Sequence, residues 1–219
     1  MDFASTSPGS ILALIIGLAL APFAAVMMTS FTKIVIVLSL LRSALGLQQT
    51  PPNVVINGLA IILSFYVMHP VILQISDAVA KSGGVQVEKI DPSRMAKLVD
   101  LGKEPIRAFL VKHTTPRERQ FFLRTARTSL PENQREQVQE MDFIVVVPAF
   151  TVHELTTAFQ IGFLIFLPFL IIDMVISNIL MAMGMMMLSP TTISLPFKLL
   201  LFVLLDGWSK LIHGLVLTY

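Results

Sequence analysis

DMVISNILMAMGMMMLSPTTISLPFKLLLFVLLDGW, residues Asp173 to Trp208, is the stretch that decides how the chain is read. Two apolar segments flank a short Ser/Pro/Thr turn, a charge stands near each end, and methionines crowd in before the turn. Six of the chain's twelve Met lie between Met174 and Met187, and the last three, Met185, Met186 and Met187, are consecutive. Methionine is unbranched and soft, so it fits gaps of changing shape better than Leu or Ile does. Beside a turn in an apolar hairpin, that softness suits a seal around more than one object. It equally suits gap-filling in a membrane helix bundle, and composition alone does not separate the two.

The rest of the composition sets the class. Of 219 residues, 54% are hydrophobic and 14% charged, and the mean hydropathy is +0.77. That is too apolar for an ordinary soluble domain. The charges are segregated: twelve of sixteen Lys+Arg and ten of fourteen Asp+Glu fall between Asp77 and Asp142. The signs nearly cancel there and the net charge is only +2, so no nucleic-acid surface is implied. With no Cys, disulfides, thiolate catalysis and Cys-based metal sites are excluded. These features describe an all-α membrane protein with three parts: an N-terminal membrane hairpin over 1–76, a polar helical insert over 77–142, and a C-terminal hairpin over 143–219.

Met1 to Ser10 holds no basic residue and carries Asp2, unlike a signal peptide, so the N-terminus reads as retained. From Ile11 to Leu41 the chain is apolar apart from Pro22 and Lys33. Ala13, Gly17, Ala21 and Ala25 line one helix face with small side chains, which permits close helix approach in lipid. Pro22 lacks a backbone donor and is expected to kink that helix. Gly46 and the run Gln48-Gln49-Thr50-Pro51-Pro52 end one helix, and a second span follows over Asn53 to Ile75, bent at Pro70. Lys33 and Arg42 beside the short connection mark its tip as cytoplasmic, which places the insert on the far side.

Within the insert, Gly83-Gly84 reads as a turn and Asp91-Pro92 as a helix start. Thr115-Pro116-Arg117-Glu118 has the form of a capping box. His113 has no ligand-spaced partner, which leaves a solvated or capping role. From Val145 to Leu188 only Glu154 and Asp173 are charged. One helix of that length would exceed ~55 Å against a bilayer core of about 30 Å. The segment therefore either breaks near Pro168 or packs partly against protein. Phe197 to Leu217 reads as a last span, with Trp208 and Tyr219 as interface anchors.

His153-Glu154 begins like the zinc-protease motif HExxH, but Thr157 stands where the second His belongs. No Ser/His/Asp set or phosphate loop appears in the apolar segments. Neither an enzyme, a cofactor nor a metal is expected. Glu154, Asp173, Lys198 and Asp206 are costly in lipid, so each needs protein or water as a neighbour. Lys198 and Asp206 are eight residues apart, about 12 Å along one helix, too far to pair. Lys198 is expected to pair with Glu154 of a neighbouring subunit, with Asp173 as the competing partner. A small-solute transporter with buried charges is the rival class.

Three long blocks carry a resemblance that covers nearly the whole chain: SFTKIVIVLSLLRSALGLQQTPPN from Ser30, PAFTVHELTTAFQIGFLIFLPF from Pro148, and the stretch from Asp173 to Trp208. The chain resembles the inner-membrane export-gate family of type III secretion, called SctR in injectisomes and FliP in flagella. Its N-terminus and its HGLVLTY ending look like the injectisome branch. The resemblance implies a multi-pass protein of the bacterial inner membrane, five copies of which wind into a helical assembly. Two other small gate proteins, SctS/FliQ-like and SctT/FliR-like, complete that assembly, which encloses a path for unfolded secreted proteins. It also implies that Met185, Met186 and Met187 form a gasket around the pore.

Overall fold

A computed structural model describes residues 8–82 and 92–219, and every regular element among them is helical. In chain order these are α1 (Pro8–Met27), α2 (Phe31–Ala44), α3 (Asn53–Lys81), α4 (Pro92–Lys112), α5 (Pro116–Ser129), α6 (Glu132–Arg135), α7 (Phe143–Ala182), α8 (Pro190–Leu204) and α9 (Gly207–Leu217). The Gly83-Gly84 turn, the Asp91 cap and the first seven residues lie outside the described residues. So do the side chains of Ala13 and Ala21 in the small-residue row. Taken alone, α3 and α7 are long and apolar enough to cross a membrane.

Residues 8–30, 68–82 and 92–153 form one compact unit, and Phe31–Val67 with Glu154–Tyr219 form a second. Both α3 and α7 contribute to each. The first unit contains the polar insert. Its α5 starts where the sequence suggests, with Thr115 in extended geometry and its hydroxyl accepting the Glu118 amide at 3.4 Å. Phe109 packs on Phe150 with ring centres 5.8 Å apart, and Leu110, Val145, Val146 and Ala149 are buried in the same unit. Arg119 ties the insert to itself through Glu140 at 2.9 Å and the Thr114 carbonyl at 2.8 Å. His113 packs its ring against Phe109, with centres 4.7 Å apart and the planes tilted by 47°.

The second unit is built on α2. Ile34, Val37 and Leu38 pack with Ile56, Ala60 and Leu63 of α3, Ala158 of α7 and Leu215 of α9. Leu41, Ala44 and Leu45 pack with Phe169 and Phe202. Gly162 lets α7 approach α2 closely, since a Cβ there would fall 2.2 Å from the Leu40 side chain.

Several expectations change. Helix α7 runs unbroken for 40 residues through Pro148 and Pro168, about 60 Å of helix. One missing donor at each proline removes one bond from a long ladder and does not end it. Helix α1 contains Pro22, the position expected to kink it, and ends at Met27 rather than running on toward Leu41. Helix α3 continues beyond Asp77 to Lys81. The last apolar stretch is not one plain span: α8 and α9 meet at a 63° bend. Asp206 supplies that bend, with φ at 52° in the left-handed region that Asp tolerates better than most residues.

Candidate functional site: the methionine turn and two buried ion pairs

Helix α7 ends at a glycine-dependent cap. Gly184 has φ of 73°, its amide bonds the Met181 carbonyl at 3.0 Å, and the Met185 amide reaches back to Leu180 at 2.9 Å. This double closure is the Schellman motif, which stops the helix sharply. The chain then turns through Met185, Met186 and Met187. Helix α8 opens with Ser189 before Pro190, and the Ser189 hydroxyl lies 2.8 Å from that of Thr191. Met186 is 83% exposed and Met187 is 100% exposed. Met174, Met181 and Met183 are exposed as well. Apolar side chains presented together to this degree mark a surface with a partner. Gly184, one residue before the methionine run, is the local signal for where the turn begins.

Behind the turn, α7 and α8 are pinned together. Lys198 on α8 is 3% exposed and donates to Asp173 Oδ2 on α7 at 2.6 Å. Ser194, one turn before Lys198, donates to the other Asp173 oxygen. Lys198 also donates to the Ala44 carbonyl at the end of α2, at 3.2 Å, where a helix leaves its last carbonyls unpaired. Four groups thus satisfy one another within the chain. Ser194 was silent in the sequence except as a polar residue one turn from a charge in an apolar helix.

Glu154 has different company. It is 1% exposed, and Lys33, 3% exposed, donates to its Oε1 at 3.3 Å. Tyr219 donates its hydroxyl to Glu154 Oε2, and its ring lies 3.5 Å from Lys33 Nζ. The cluster is an ion pair with a cation–π contact over it. Within one chain, therefore, the carboxylate of Lys198 is Asp173, and Glu154 belongs to Lys33. Proximity explains this: Asp173 and Lys198 lie on consecutive helices joined by a short turn. Lys33 is a buried partner here and not a loop charge, and Tyr219 covers the pair instead of anchoring at an interface. The rule that a charge in an apolar run needs a partner applied to Lys33 as much as to Lys198. Asp206 joins neither pair; it is exposed at the α8–α9 bend, with Ser209 donating to it at 3.1 Å.

No group of three or more His, Asp or Glu among the described residues could hold a metal ion. The family model described as the FliP family matches residues 14–215, which takes in both ion pairs and the methionine turn. The chain belongs to the FliP family. Its relatives include the hypersensitivity response secretion protein HrcR of Ralstonia nicotianae, 49% identical over 96% of each chain. The Yop proteins translocation protein R of Yersinia pestis is 52% identical over 92% of each chain. The flagellar biosynthetic protein FliP of Pectobacterium carotovorum is 47% identical, over 95% of this chain and 77% of its own length. This FliP-family chain is thus similar to secretion and flagellar proteins alike, over its apolar helices and its insert.

Proposed function

We propose that the chain is a core subunit of the type III secretion export gate, forming with other copies the channel that passes unfolded proteins across the bacterial inner membrane. The observation that carries this is a soft, exposed methionine turn on a rigid pinned stem, in a chain of the FliP family. Five copies wind around the channel together with the two other small gate proteins. In that assembly Met185, Met186 and Met187 of each copy meet as the gasket. Two kinked hairpins hold the apolar segments, and the polar insert lies on the periplasmic side. Glu154 of one copy joins Lys198 of the next, with Lys33 and Asp173 kept in the same charge cluster so that neither is stranded. Unpaired buried charges would cost several kcal/mol each. A solute transporter would need polar groups converging on a cavity. The groove of the second unit is lined mostly by hydrocarbon, with Lys210 and Thr218 among its lining, and includes no member of either ion pair.

The test is an image of the purified complex joined to a mutant cycle. A ring or spiral with an axial channel is expected, and a monomer in lipid would refute the gate. Glu154→Gln and Lys198→Met should each lower complex yield, with the double change milder than their sum. Simple additivity would sink the inter-subunit pair while leaving the gate intact.

A further inference from the structure

Helix α2 ends on a Schellman motif of its own. Gly46 has φ of 80°, its amide bonds the Ser43 carbonyl at 3.0 Å, and the Leu47 amide reaches back to Arg42 at 3.2 Å. With the Leu45 amide on Leu41 at 3.0 Å, these bonds satisfy the carbonyls of Leu41, Arg42 and Ser43. The Ala44 carbonyl comes next, and its donor arrives from another helix: Lys198 of α8, at 3.2 Å. A cation at a helix C-terminus is also favoured by the helix dipole. Arg42, in the last turn of α2, closes the connection to α3. Its guanidinium donates to the Pro51 carbonyl at 3.2 Å and to the Asn53 side chain at 2.6 Å, and Asn53 is the first residue of α3.

The same Lys198 holds Asp173 of α7 at 2.6 Å. One ammonium thus joins the end of α2 to both helices that carry the methionine turn. It has three donors; two are used within the chain, and the third is the one that Glu154 of a neighbouring copy would take. Leu41, Ala44 and Leu45 also pack on Phe169 and Phe202 at this end. Apolar contact is non-directional and lets helices slide, whereas two hydrogen bonds from one nitrogen fix their register. The turn itself is open to solvent at Gly46, Gln48, Gln49 and Thr50. We propose that the α2–α3 turn positions the methionine turn, with Arg42 and Gly46 as positioning residues that act through Lys198. When the turn is distorted, the Ala44 carbonyl moves. Lys198 then follows it or gives it up, and α8 shifts against α7 with the methionine turn at its head. The role of this link at a gate rests on the functional reading above.

The chain has no Cys of its own, so spin labels on Cys introduced at Gln49 and Thr192, both exposed, read the distance between the two turns in the full chain held in lipid nanodiscs. The parent should give one narrow distribution. Arg42→Gln opens the turn, and Gly46→Ala forces a side chain into the left-handed region; each should broaden or shift the distribution. Arg42→Lys should restore it in part, and Gly46→Asn nearly in full, since Asn tolerates that backbone. With Lys198→Met and Asp173→Asn together, which cut the link and strand no charge, Arg42→Gln should cause no further change. Arg119→Gln, which breaks a pair in the insert, should leave the distribution as in the parent. A distribution unmoved by Arg42→Gln and Gly46→Ala overturns the proposal. So does an Arg42→Gln change of the same size with and without Lys198. Dye permeability of cells then tests the role at the gate: Arg42→Gln should leak with complex yield preserved. A shift without leak, where replacing Met185, Met186 and Met187 by Ala does leak, overturns that role. No leak from either change would instead defeat the functional reading.

Discussion

Replacing Met185, Met186 and Met187 together by Ala separates folding from gating. In the protomer the three are 42%, 83% and 100% exposed. Fully burying a Met side chain contributes ~1.5–3 kcal/mol. Met187 buries nothing, Met186 about a sixth of itself and Met185 just over half. Their joint contribution to the fold is thus about 1–2 kcal/mol, and the stem at Asp173, Ser194 and Lys198 is untouched. The triple Ala chain should fold and assemble nearly as the parent does. In the proposed gasket, however, short methyls would stand where flexible thioethers close the ring. An apolar constriction stops ions by excluding water, and only while it is narrow. Cells with the Ala variant should therefore leak small ions or dye. The triple Leu variant should stay tight when idle yet secrete poorly, because branched side chains refit less readily around a passing segment. Dye permeability and secretion of one substrate, measured on the same strains with complex yield as a control, check this. An Ala variant that assembles and stays tight would mean that the methionines are packing and not a seal.

Lys198→Met strands Asp173 with Ser194 alone. It should destabilise the purified chain by about 3 kcal/mol, the low end for a broken buried pair because Asp173 keeps some solvent. Adding Asp173→Asn should recover part of that loss in thermal unfolding, and strict additivity would show that the two side chains do not interact. Lys33→Met leaves the fully enclosed Glu154 without its cation, at about 3–5 kcal/mol. Tyr219→Phe removes one hydrogen bond to a charge, about 1.5–3 kcal/mol. A Tyr219→Phe chain less stable than Lys33→Met would invert the assignment of Lys33 as principal partner. For topology, Ser43 and Ser82 are both exposed. A Cys at Ser82 should react with an impermeant reagent from outside intact inner membranes and a Cys at Ser43 should not; the opposite pattern reverses the orientation of the insert.

Local chemistry made much of this protein legible from residues alone. Apolar runs longer than a bilayer is thick can only be helices, and the clustering of charge between Asp77 and Asp142 separates the insert from them. Thr115 caps α5 because a hydroxyl three residues before an acidic side chain meets an orphan amide locally. A turn near the methionine run follows from the Ser/Pro/Thr stretch after it, while the exposure of Met186 and Met187 is known only from the folded chain. What lay beyond the sequence was long-range. Lys33 and Glu154 are 121 residues apart, and no periodicity links them. Their pairing depends on how α7 packs on α2, an approach that Gly162 permits beside Leu40. The same holds for Lys198, whose choice of Asp173 depends on how α8 folds back after the turn, and for Asp206. Its left-handed backbone splits an apolar stretch that reads as one span, because an isolated φ of 52° leaves no mark on composition. Helix α7 passes Pro168 for a similar reason: one lost donor is decided by the whole ladder around it, and only the folded chain supplies that ladder.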